Sequence, residues 1–289
     1  MRGSKGRKPW RISEVTGLTL DEIKRYSRQL VLPDFGSREQ HRLRDAKIAV
    51  TGAGGLGCPT ATYLTLAGVG EIHIFDMDTI ELNNLNRQFL YSPDDVGKHK
   101  AKVAAEKLGQ INPSIKVEGI NERITYDNAF DLLKGYDAIV DGTDNFPVRY
   151  AVNDSAAVNK VPVFHGAVLM YEGRATSIIP GESACFRCVF PTPPPVGMVP
   201  TCREAGVIGS LVGLIGSIQS TEAIRYLAGQ EVALKNRLLI INGDTMDFQK
   251  LKIQRRSDCT ACGDTFVAMP VDEACDPHFA GELEARARW

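Results

Sequence analysis

The sequence predicts an α/β fold with a Rossmann-like, doubly wound and mostly parallel sheet that continues into C-terminal antiparallel strands. Short apolar strand patterns alternate with helical patterns between residues 47 and 167, which is typical of a parallel sheet with crossover helices. A glycine turn at 52–57 joins the first strand to the following helix. After Gly166 the alternation ends, and three further strands are predicted at 174–179, 238–242 and 248–253.

The individual elements follow from local signals along the chain. Thr19 and Glu22 form the pattern of a capping box, which predicts a helix that begins there and runs to about residue 30. Asn112 and Pro113 end a later helix, because proline disrupts a helix interior. The predicted strands are 47–51, 71–76, 116–121, 137–141 and 161–167, and the predicted helices include 38–45, 56–67, 98–111 and 145–159.

Two segments of the C-terminal half have unusual compositions. Residues 190–197 are rich in proline, which fixes φ and removes backbone donors, so we expect no regular structure there. Residues 205–227 are rich in Gly, Ile, Leu and Val. A membrane span is one interpretation, but Gln219, Glu222 and Arg225 interrupt the apolar run. We therefore expect a buried helix, which would also suit a subunit interface, and no association with a membrane.

The composition is that of an ordinary globular protein. The 289 residues are 43% apolar and 24% charged, and the formal net charge is −1, so bulk electrostatics indicates no nucleic acid and no membrane surface as a partner. We expect residues 1–18 to be a flexible basic arm, 19–263 the folded domain and 264–289 a loosely held tail. Because no apolar signal segment follows the basic arm, we expect a cytoplasmic protein.

The turn after the first strand carries a nucleotide-binding pattern. Gly52, Gly54 and Gly57 have the spacing G-x-G-x-x-G, in which glycines let the backbone approach phosphate at a helix N-terminus. Asp76 ends the next strand about 20 residues further on, where a carboxylate accepts hydrogen bonds from ribose hydroxyls. These features suit NAD and ATP equally, and a tight turn without a ligand is the plainer alternative.

Polar and cationic side chains beyond Asp76 favour a triphosphate over a redox dinucleotide. The segment 83–89 packs amides and an arginine into one loop, and Lys100 follows it. Arginine offers phosphates a fork and lysine a point charge, whereas hydride transfer needs an apolar slot for nicotinamide. Asp144 follows another strand at the same sheet edge and is suited to Mg²⁺. Taken singly, Arg87 could form a surface ion pair, Lys100 could be a solvated helix residue, and Asp144 could cap a helix.

Two C-x-x-C pairs stand out among the seven cysteines. Cys185 and Cys188 form one pair, Cys259 and Cys262 form the other, and four thiolates at such spacing match a tetrahedral structural zinc. The stretch between the pairs is longer than in a compact zinc ribbon, so two redox pairs and buried cysteines without a ligand stay open. Cys202 lies between the proline-rich loop and the long helix, where it is either a reactive thiolate or an idle loop cysteine.

The combined motifs resemble the MoeB/ThiF/HesA family of ubiquitin-activating-type adenylyltransferases for ubiquitin-like sulfur-carrier proteins. The resemblance covers roughly residues 26–263 and is carried by the segments 52–57, 76–78, 84–88, 96–100 and 143–145. It implies that the glycine loop binds ATP and not NAD. The nucleotide-binding residues that it implies are Gly52, Gly54, Gly55, Gly57, Asp76, Asn83, Asn84, Leu85, Asn86, Arg87, Gln88, Lys100, Asp144 and Asn145.

The resemblance also implies catalytic and metal-binding roles. The residues with implied catalytic roles are Arg28, Arg87, Lys100, Asp144 and Cys202, with Asp144 holding Mg²⁺. Arg28 matches an arginine that reaches into the partner subunit's ATP site, so we expect a homodimer. The four cysteines of the C-x-x-C pairs carry over as ligands of a structural Zn²⁺. Cys202 matches a cysteine that some members use as a covalent nucleophile and others do not need.

The activity that the resemblance implies is adenylation of a carrier's C-terminal Gly-Gly carboxylate, which prepares it for thiocarboxylate formation or conjugation. Residues 19–263 would then be an adenylation domain with zinc knuckles. Because no rhodanese-like domain follows it, we expect a separate sulfur donor. The alternatives are an NAD(P)-dependent oxidoreductase, a non-catalytic protein that retains the fold, and a tRNA dehydratase of the same superfamily.

Overall fold

The computed structural model of the chain describes residues 17–195, 198 and 202–271, with only the backbone of Cys202 and Arg203. Residues 1–16 of the predicted arm and 272–289 of the predicted tail lie outside this range. The first part of the predicted tail contacts the domain. The backbone N–H of Met269 donates to the Tyr126 hydroxyl at 3.1 Å, and the Met269 carbonyl accepts from Arg187 at 2.5 Å.

The described residues form one mixed sheet with helices on both faces. The strands are β1 (Lys47–Thr51), β2 (Glu71–Phe75), β3 (Lys116–Ile120), β4 (Ala138–Asp141), β5 (Val163–Leu169), β6 (Glu172–Ile178), β7 (Arg237–Asn242) and β8 (Asp247–Lys252). The helices are α1 (Leu20–Leu30), α2 (Ser37–Asp45), α3 (Gly57–Ala67), α4 (Lys100–Ile111), α5 (Tyr126–Leu132), α6 (Phe146–Asn159), α7 (Phe186–Val189), α8 (Cys202–Ala205) and α9 (Gly209–Leu227).

The strand order is β3-β2-β1-β4-β5-β6-β7-β8. The pairs from β3 to β5 are parallel, and the pairs from β5 to β8 are antiparallel. The prediction of a doubly wound sheet that continues into C-terminal antiparallel strands is confirmed. The chain runs outward from β1 to β3 and then returns to β4 on the other side of β1. The loops after β1 and β4 therefore lie side by side, where ligands bind in open α/β sheets.

A hydrophobic core covers each face of the sheet. Ile48 and Val50 of β1 pack with residues of α3, α4 and α9, whereas Ala49 between them packs with residues of α5 and α6. Because both faces of β1 are covered, the strand is apolar at successive positions rather than at alternate ones.

The structure confirms the predicted capping box, and the ends of some helices and strands differ by a few residues from the predicted ones. The hydroxyl of Thr19 accepts from the Glu22 N–H at 3.2 Å, and the Glu22 carboxylate accepts from the Thr19 N–H at 2.7 Å, which completes the predicted capping box. α4 begins at Lys100 and not at 98, because His99 is extended and forms a β-bridge with Thr79. β5 continues to Leu169, beyond the predicted end, because it forms a hairpin with β6.

The long apolar segment is the buried helix α9, as predicted. It packs on α3, β5 and β6, and its own side chains Leu211, Ile215 and Ala223 are buried. In the part of the chain that the structure describes, no helix is long and apolar enough to cross a bilayer.

Candidate functional site

A cavity of about 410 Å³ lies at the carboxyl ends of β1, β2 and β4, where the strand order reverses. Its walls come from segments that are far apart in the sequence. The predicted site residues that line it are Gly52, Gly54, Gly55, Asp76, Asn84, Arg87, Gln88, Lys100, Asp144 and Asn145. The predicted site residues that do not line it are Arg28, Gly57, Asn83, Leu85 and Asn86.

The glycine turn brings backbone rather than side chains to the cavity. Gly52 has a φ of 97°, and its N–H donates to the Phe75 carbonyl at 2.8 Å. A Cβ on Gly57 would lie 1.9 Å from the Gly52 carbonyl oxygen, so the turn itself requires glycine there. Gly54 and Gly55 form part of the cavity wall. Because α3 begins directly after the turn, its first backbone N–H groups and positive dipole end lie beside the cavity.

Asp76 is fixed at the end of β2 by the backbone around it. Its Oδ2 accepts from the Ala53 N–H at 2.7 Å, and its Oδ1 accepts from the Asp78 N–H at 2.8 Å. Burial raises the pKa of the Asp76 carboxyl, and the charge of Lys100 opposes that shift. Each carboxylate oxygen still has a lone pair with which to accept a hydrogen bond from a ligand in the cavity.

Lys100 is a buried cation in the cavity wall. Its Nζ lies 2.8 Å from Oδ2 of Asp78, and the residue is 7% exposed. Burial acts to lower the pKa of Lys100, but the charges of Asp76, Asp78 and Asp144 outweigh it and raise the pKa. The interpretation of Lys100 as a solvated helix residue is therefore wrong.

Arg87 is held at the cavity by two asparagines that precede it in the same loop. Its Nη1 donates to the Asn83 carbonyl at 3.0 Å and to Oδ1 of Asn86 at 3.0 Å. Both asparagines lie beside the cavity, where they orient the guanidinium and do not face the cavity themselves.

Asn84 and Gln88 form the buried part of the same turn. Oδ1 of Asn84 accepts from the Glu81 N–H at 3.1 Å, and Leu85 packs against the hydrophobic core. Oε1 of Gln88 is buried and accepts no hydrogen bond from any described residue. Buried polar atoms in folded proteins are rarely left unpaired, so this oxygen is available to accept a hydrogen bond from a polar group in the cavity.

The loop after β4 presents Asp144 to the cavity. Oδ1 of Asp141 accepts from the Thr143 N–H at 3.1 Å and from the Thr143 hydroxyl at 2.6 Å. Asn145 caps α6, because its Oδ1 accepts from the Val148 N–H at 2.9 Å. Asp144 is exposed and accepts no hydrogen bond from the described residues. The interpretation of Asp144 as a helix cap is therefore wrong, and Asn145 has that role.

A second cavity, of about 1010 Å³, adjoins the first one. The residues that line both cavities are Asp144, Asn145, Arg149 and Val168. The larger cavity also has aromatic walls and a proline-rich rim, formed by Phe146, Tyr150, Phe186, Phe190 and residues 192–195. The two cavities therefore meet at the loop that carries Asp144.

Arg149 is a residue of this junction that the sequence interpretation missed. Its Nη2 donates to the Thr143 carbonyl at 2.8 Å, and its guanidinium lies 5.7 Å from the centre of the Phe146 ring. Its Nε is buried without a partner among the described residues. The available signal was its place near the N-terminus of α6, where the helix dipole disfavours a cation.

Two predicted catalytic residues are not among the described residues that line the cavity. Arg28 is exposed on α1 and does not line the cavity of its own chain. Cys202 is the first residue of α8, and the position of its side chain is outside the described part of the structure. Their roles stay predictions.

The four cysteines of the C-x-x-C pairs form one cluster. All four Sγ atoms lie within 4.8 Å of one another. The Sγ–Sγ distances include 3.5 Å for Cys185–Cys259, 3.4 Å for Cys188–Cys262 and 3.8 Å for Cys185–Cys188. A tetrahedron with Zn–S bonds of about 2.3 Å has edges of about 3.8 Å, so the donor set fits one tetrahedral metal ion. Because the closest contacts join the two pairs, the interpretation of two separate redox pairs is disfavoured.

Together the fold and the site define an α/β protein with a charged cavity at the topological switch point, where such sheets bind nucleotides, and a four-cysteine cluster whose geometry fits one metal ion. Residues 26–261 match the model of the ThiF family, and the chain belongs to this family. The resemblance seen in the sequence motifs is thereby confirmed.

Similar proteins support the same assignment. The chain is 43% identical over 251 residues to the sulfur carrier protein adenylyltransferase of Thermus thermophilus, covering 85% of this chain and 93% of that protein. It is 40% identical over 249 residues to the SAMP-activating enzyme E1 of Haloferax volcanii, covering 86% and 92%. It is 41% identical over 251 residues to the adenylyltransferase and sulfurtransferase MOCS3 of Culex quinquefasciatus, covering 86% of this chain and 57% of that protein.

Among solved structures, a crystal structure of E. coli MccB with ATP has a TM-score of 0.75 and 24% sequence identity, covering 83% of this chain and 75% of that chain. At this identity the likeness concerns the fold alone.

Proposed function

We propose that this protein uses ATP to adenylate the C-terminal Gly-Gly carboxylate of a ubiquitin-like sulfur-carrier protein. The observation that carries the proposal is the junction at Asp144 and Arg149, where a charged cavity opens into a larger one. Adenylation requires such a junction, because the terminal carboxylate of the carrier must reach the α-phosphate of ATP. The names of the Thermus and Haloferax relatives support the same chemistry.

ATP occupies the smaller cavity in this proposal. Asp76 accepts hydrogen bonds from the ribose hydroxyls, and the backbone at Gly54 and Gly55 approaches the phosphates. Arg87 and Lys100 bind phosphate oxygens, since both are cations that the surrounding contacts hold in the cavity wall.

The amides of this cavity position the nucleotide. Gln88 supplies the buried unpaired oxygen, and Asn84 lies beside it. Asn83 and Asn86 act through Arg87, and Leu85 anchors the turn in the core.

Asp144 is suited to hold Mg²⁺, since its carboxylate is exposed and accepts no hydrogen bond from the described residues. A bound Mg²⁺ would neutralise charge on the phosphate oxygens. Asn145 keeps the loop in place by capping α6.

The reaction needs positioning and charge stabilisation more than covalent chemistry from the protein. A carboxylate oxygen of the carrier forms a bond to the α-phosphorus of ATP, and the bond from that phosphorus to the pyrophosphate oxygen breaks. Two anions meet at the junction, and the guanidinium of Arg149 reduces the cost of bringing them together. The products are an acyl-adenylate and pyrophosphate.

The larger cavity receives the carrier's tail in this proposal. A Gly-Gly terminus has no side chains, so it can pass between the aromatic wall and the proline-rich rim in an extended conformation. The terminal carboxylate would then reach Asp144 and Arg149, which line both cavities.

The proposal includes a homodimer and a structural Zn²⁺. Arg28 is exposed and lies outside the cavity of its own chain, which is compatible with a role in the ATP site of the partner subunit. The residues that would hold Zn²⁺ are Cys185, Cys188, Cys259 and Cys262. When bound, the ion would attach the segment after β8 to α7 and so contribute folding free energy.

Cys202 is the proposed acceptor of the acyl group before sulfur transfer. The segment that follows it reaches both cavities. Val207 lines the smaller cavity, and the Gly206 carbonyl accepts at 3.0 Å from the N–H of Met170, which lines the larger one. The sulfur of the final thiocarboxylate comes from a separate donor in this proposal.

The test is carrier-dependent exchange of radiolabelled pyrophosphate into ATP. Small proteins that end in Gly-Gly, taken from the same organism, are compared with versions that lack the last glycine. We expect exchange with at least one intact carrier and background exchange with its truncated form. Absence of exchange with every intact carrier would refute adenylation, and enhanced NADH fluorescence without protection by ATP would favour the oxidoreductase.

A further inference from the structure

His165 and Asp141 form a buried pair at the inner wall of the larger cavity. Nδ1 of His165 lies 2.7 Å from Oδ2 of Asp141, and the two residues are 4% and 2% exposed. His165 lies on β5 and lines the cavity, where its ring packs 4.9 Å from the centre of the Phe186 ring. The other oxygen of Asp141 accepts both hydrogen bonds from Thr143.

These contacts determine which nitrogen of His165 carries a proton. Burial opposes ionisation of Asp141, but the hydrogen bond and charge of His165, the charge of Arg149 and the hydrogen bond from Thr143 outweigh it and lower the pKa of the carboxyl. Nδ1 of His165 is therefore the donor to an ionised Asp141. Nε2 has no partner among the described residues, and it is the ring nitrogen left for the cavity.

The proposed function consists of two half-reactions that differ in their proton balance, and the present inference rests on it. In the first, an ionised carboxylate displaces pyrophosphate, and no proton is transferred. In the second, a thiol sulfur forms a bond to the carbonyl carbon of the acyl-adenylate, the bond from that carbon to the AMP oxygen breaks, and the S–H proton must leave. Because a thiolate and not a thiol is the nucleophile, a base in the tail cavity has a task only in the second half-reaction.

We propose that His165 is the general base that accepts the S–H proton at Nε2 when a thiol sulfur attacks the acyl-adenylate. The products are a thioester of the carrier, AMP and a protonated His165. Asp141 holds the imidazole in the required tautomer and stabilises the imidazolium that forms. The carboxylate of Asp141 also accepts a hydrogen bond from Thr143. It therefore positions both His165, which acts in the second half-reaction, and the loop of Asp144, which acts in the first.

Two small thiols distinguish a base from a residue that only positions the tail. Dithiothreitol is mostly protonated at neutral pH and needs a base, whereas thionitrobenzoate is already a thiolate and does not. The acyl-adenylate is formed from ATP and a carrier that supports pyrophosphate exchange, and transfer to each thiol is followed by mass spectrometry. His165→Asn is compared with His73→Asn, because His73 is also buried but lies outside both cavities.

We expect His165→Asn to lower transfer to dithiothreitol about 100-fold more than it lowers exchange or transfer to thionitrobenzoate, which is the scale of general-base catalysis. His73→Asn should change none of the three rates by more than threefold. Equal losses with both thiols, loss of exchange together with transfer, or unchanged transfer to dithiothreitol would each overturn the assignment. Absence of exchange in the unaltered protein would refute adenylation itself, and this outcome is distinct from failure of the His165 assignment.

The unaltered protein gives a second measurement that does not depend on the variant folding. Transfer rates for a series of thiols of rising pKa are divided by the fraction of each thiol that is ionised. A general base makes the high-pKa thiols faster than the intrinsic reactivity of their thiolates predicts. Rates that follow the thiolate fraction and its ordinary nucleophilicity alone would overturn the proposal.

Discussion

Replacing Arg187 by methionine removes the cation from an ion pair whose side chains are 1% and 0% exposed. Nε of Arg187 donates to Oδ1 of Asp154 at 2.8 Å, and Nη2 donates to Oδ2 at 2.8 Å. Arg187 lies between Cys185 and Cys188, and Asp154 lies on α6, the helix that Asn145 caps beside the junction. The pair thus connects the four-cysteine cluster to the helix that begins at the candidate site.

The expected cost follows from the charge that is left behind. In Arg187→Met, Asp154 keeps a hydrogen bond from the Tyr126 hydroxyl at 3.1 Å and one from Asn153 at 3.0 Å, but no cation. Leaving one partner of a buried pair unpaired typically costs about 3–5 kcal/mol of the free energy of unfolding. The double variant Arg187→Met with Asp154→Leu removes both charges, and we expect it to recover most of that loss, since paired burial is itself costly.

The assay is urea unfolding at fixed concentrations of protein and zinc, with the midpoint and the slope fitted separately. Lys24→Met is the control, because it removes an exposed pair with Asp21 at 3.9 Å that should contribute little. A loss below about 1 kcal/mol in Arg187→Met, or a double variant less stable than the single one, would refute the reasoning about the unpaired buried charge.

Four further predictions follow from the site and its surroundings. Asp144→Ala should raise the free-energy barrier of exchange by about 2–4 kcal/mol, by analogy with the loss of one preorganised group, and an unchanged kcat/KM would remove Asp144 from the site. Metal analysis should give one Zn²⁺ per chain, and Cys259→Ser should lose it with a lower Tm, whereas zinc-free protein prepared without chelator would contradict the site. Cys202→Ala should abolish any reductant-sensitive adduct with the carrier on a non-reducing gel, and a full thiocarboxylate yield from that variant would show that the sulfur is dispensable. Lys107 holds the pKa of Asp95 well below its usual range, so Asp95 stabilises the fold above about pH 4, and this contribution falls as the pH drops toward the folded-state pKa. Asp95→Asn should therefore lower the free energy of unfolding more at pH 7 than at pH 3, and equal losses would contradict the linkage.

The residues at strand ends were predictable from the sequence because a parallel sheet brings its carboxyl ends to one edge. Asp76 and Asp144 each follow a short apolar strand, and the structure places both at the same cavity. The neighbouring turn was predicted as a unit, but the sequence could not separate the residues facing the cavity from those supporting it. Arg87 and Gln88 line the cavity, whereas Leu85 packs in the core, and only the turn geometry decides between these positions.

Other features depend on contacts that no local pattern contains. The two C-x-x-C pairs meet because α8, α9, β7 and β8 return the chain to α7, so spacing alone could not show that the four cysteines form one cluster. In the sequence, Arg149 is an ordinary helix residue, and only the structure shows that it lines both cavities. His165 lies in a strand whose other residues are mostly apolar. Its partner Asp141 lies on the neighbouring strand, so the pair cannot be recognised from a local sequence pattern.

The loop that carries Asp144 is held by contacts on both faces of the sheet. These contacts fix the position of Asp144 without involving its charged carboxylate. On one face, Nε2 of Gln219 donates to the carbonyls of Asp141 at 2.7 Å and of Phe164 at 2.9 Å. On the other face, the carboxylate of Asp141 binds His165. None of these contacts uses the carboxylate of Asp144.

A charge held in place by its backbone, with no hydrogen bond from the described residues, can interact with a bound cation without first breaking a contact. Lys100 differs in this respect, because Asp78 already engages its Nζ at 2.8 Å and only the remaining N–H donors are left for a phosphate oxygen. Removing the partner in Asp78→Asn should therefore affect the two residues differently: phosphate binding through Lys100 should change, whereas binding of Mn²⁺ as a probe at Asp144 should change less than threefold. Equal changes in both affinities would show that the two charges act as one unit.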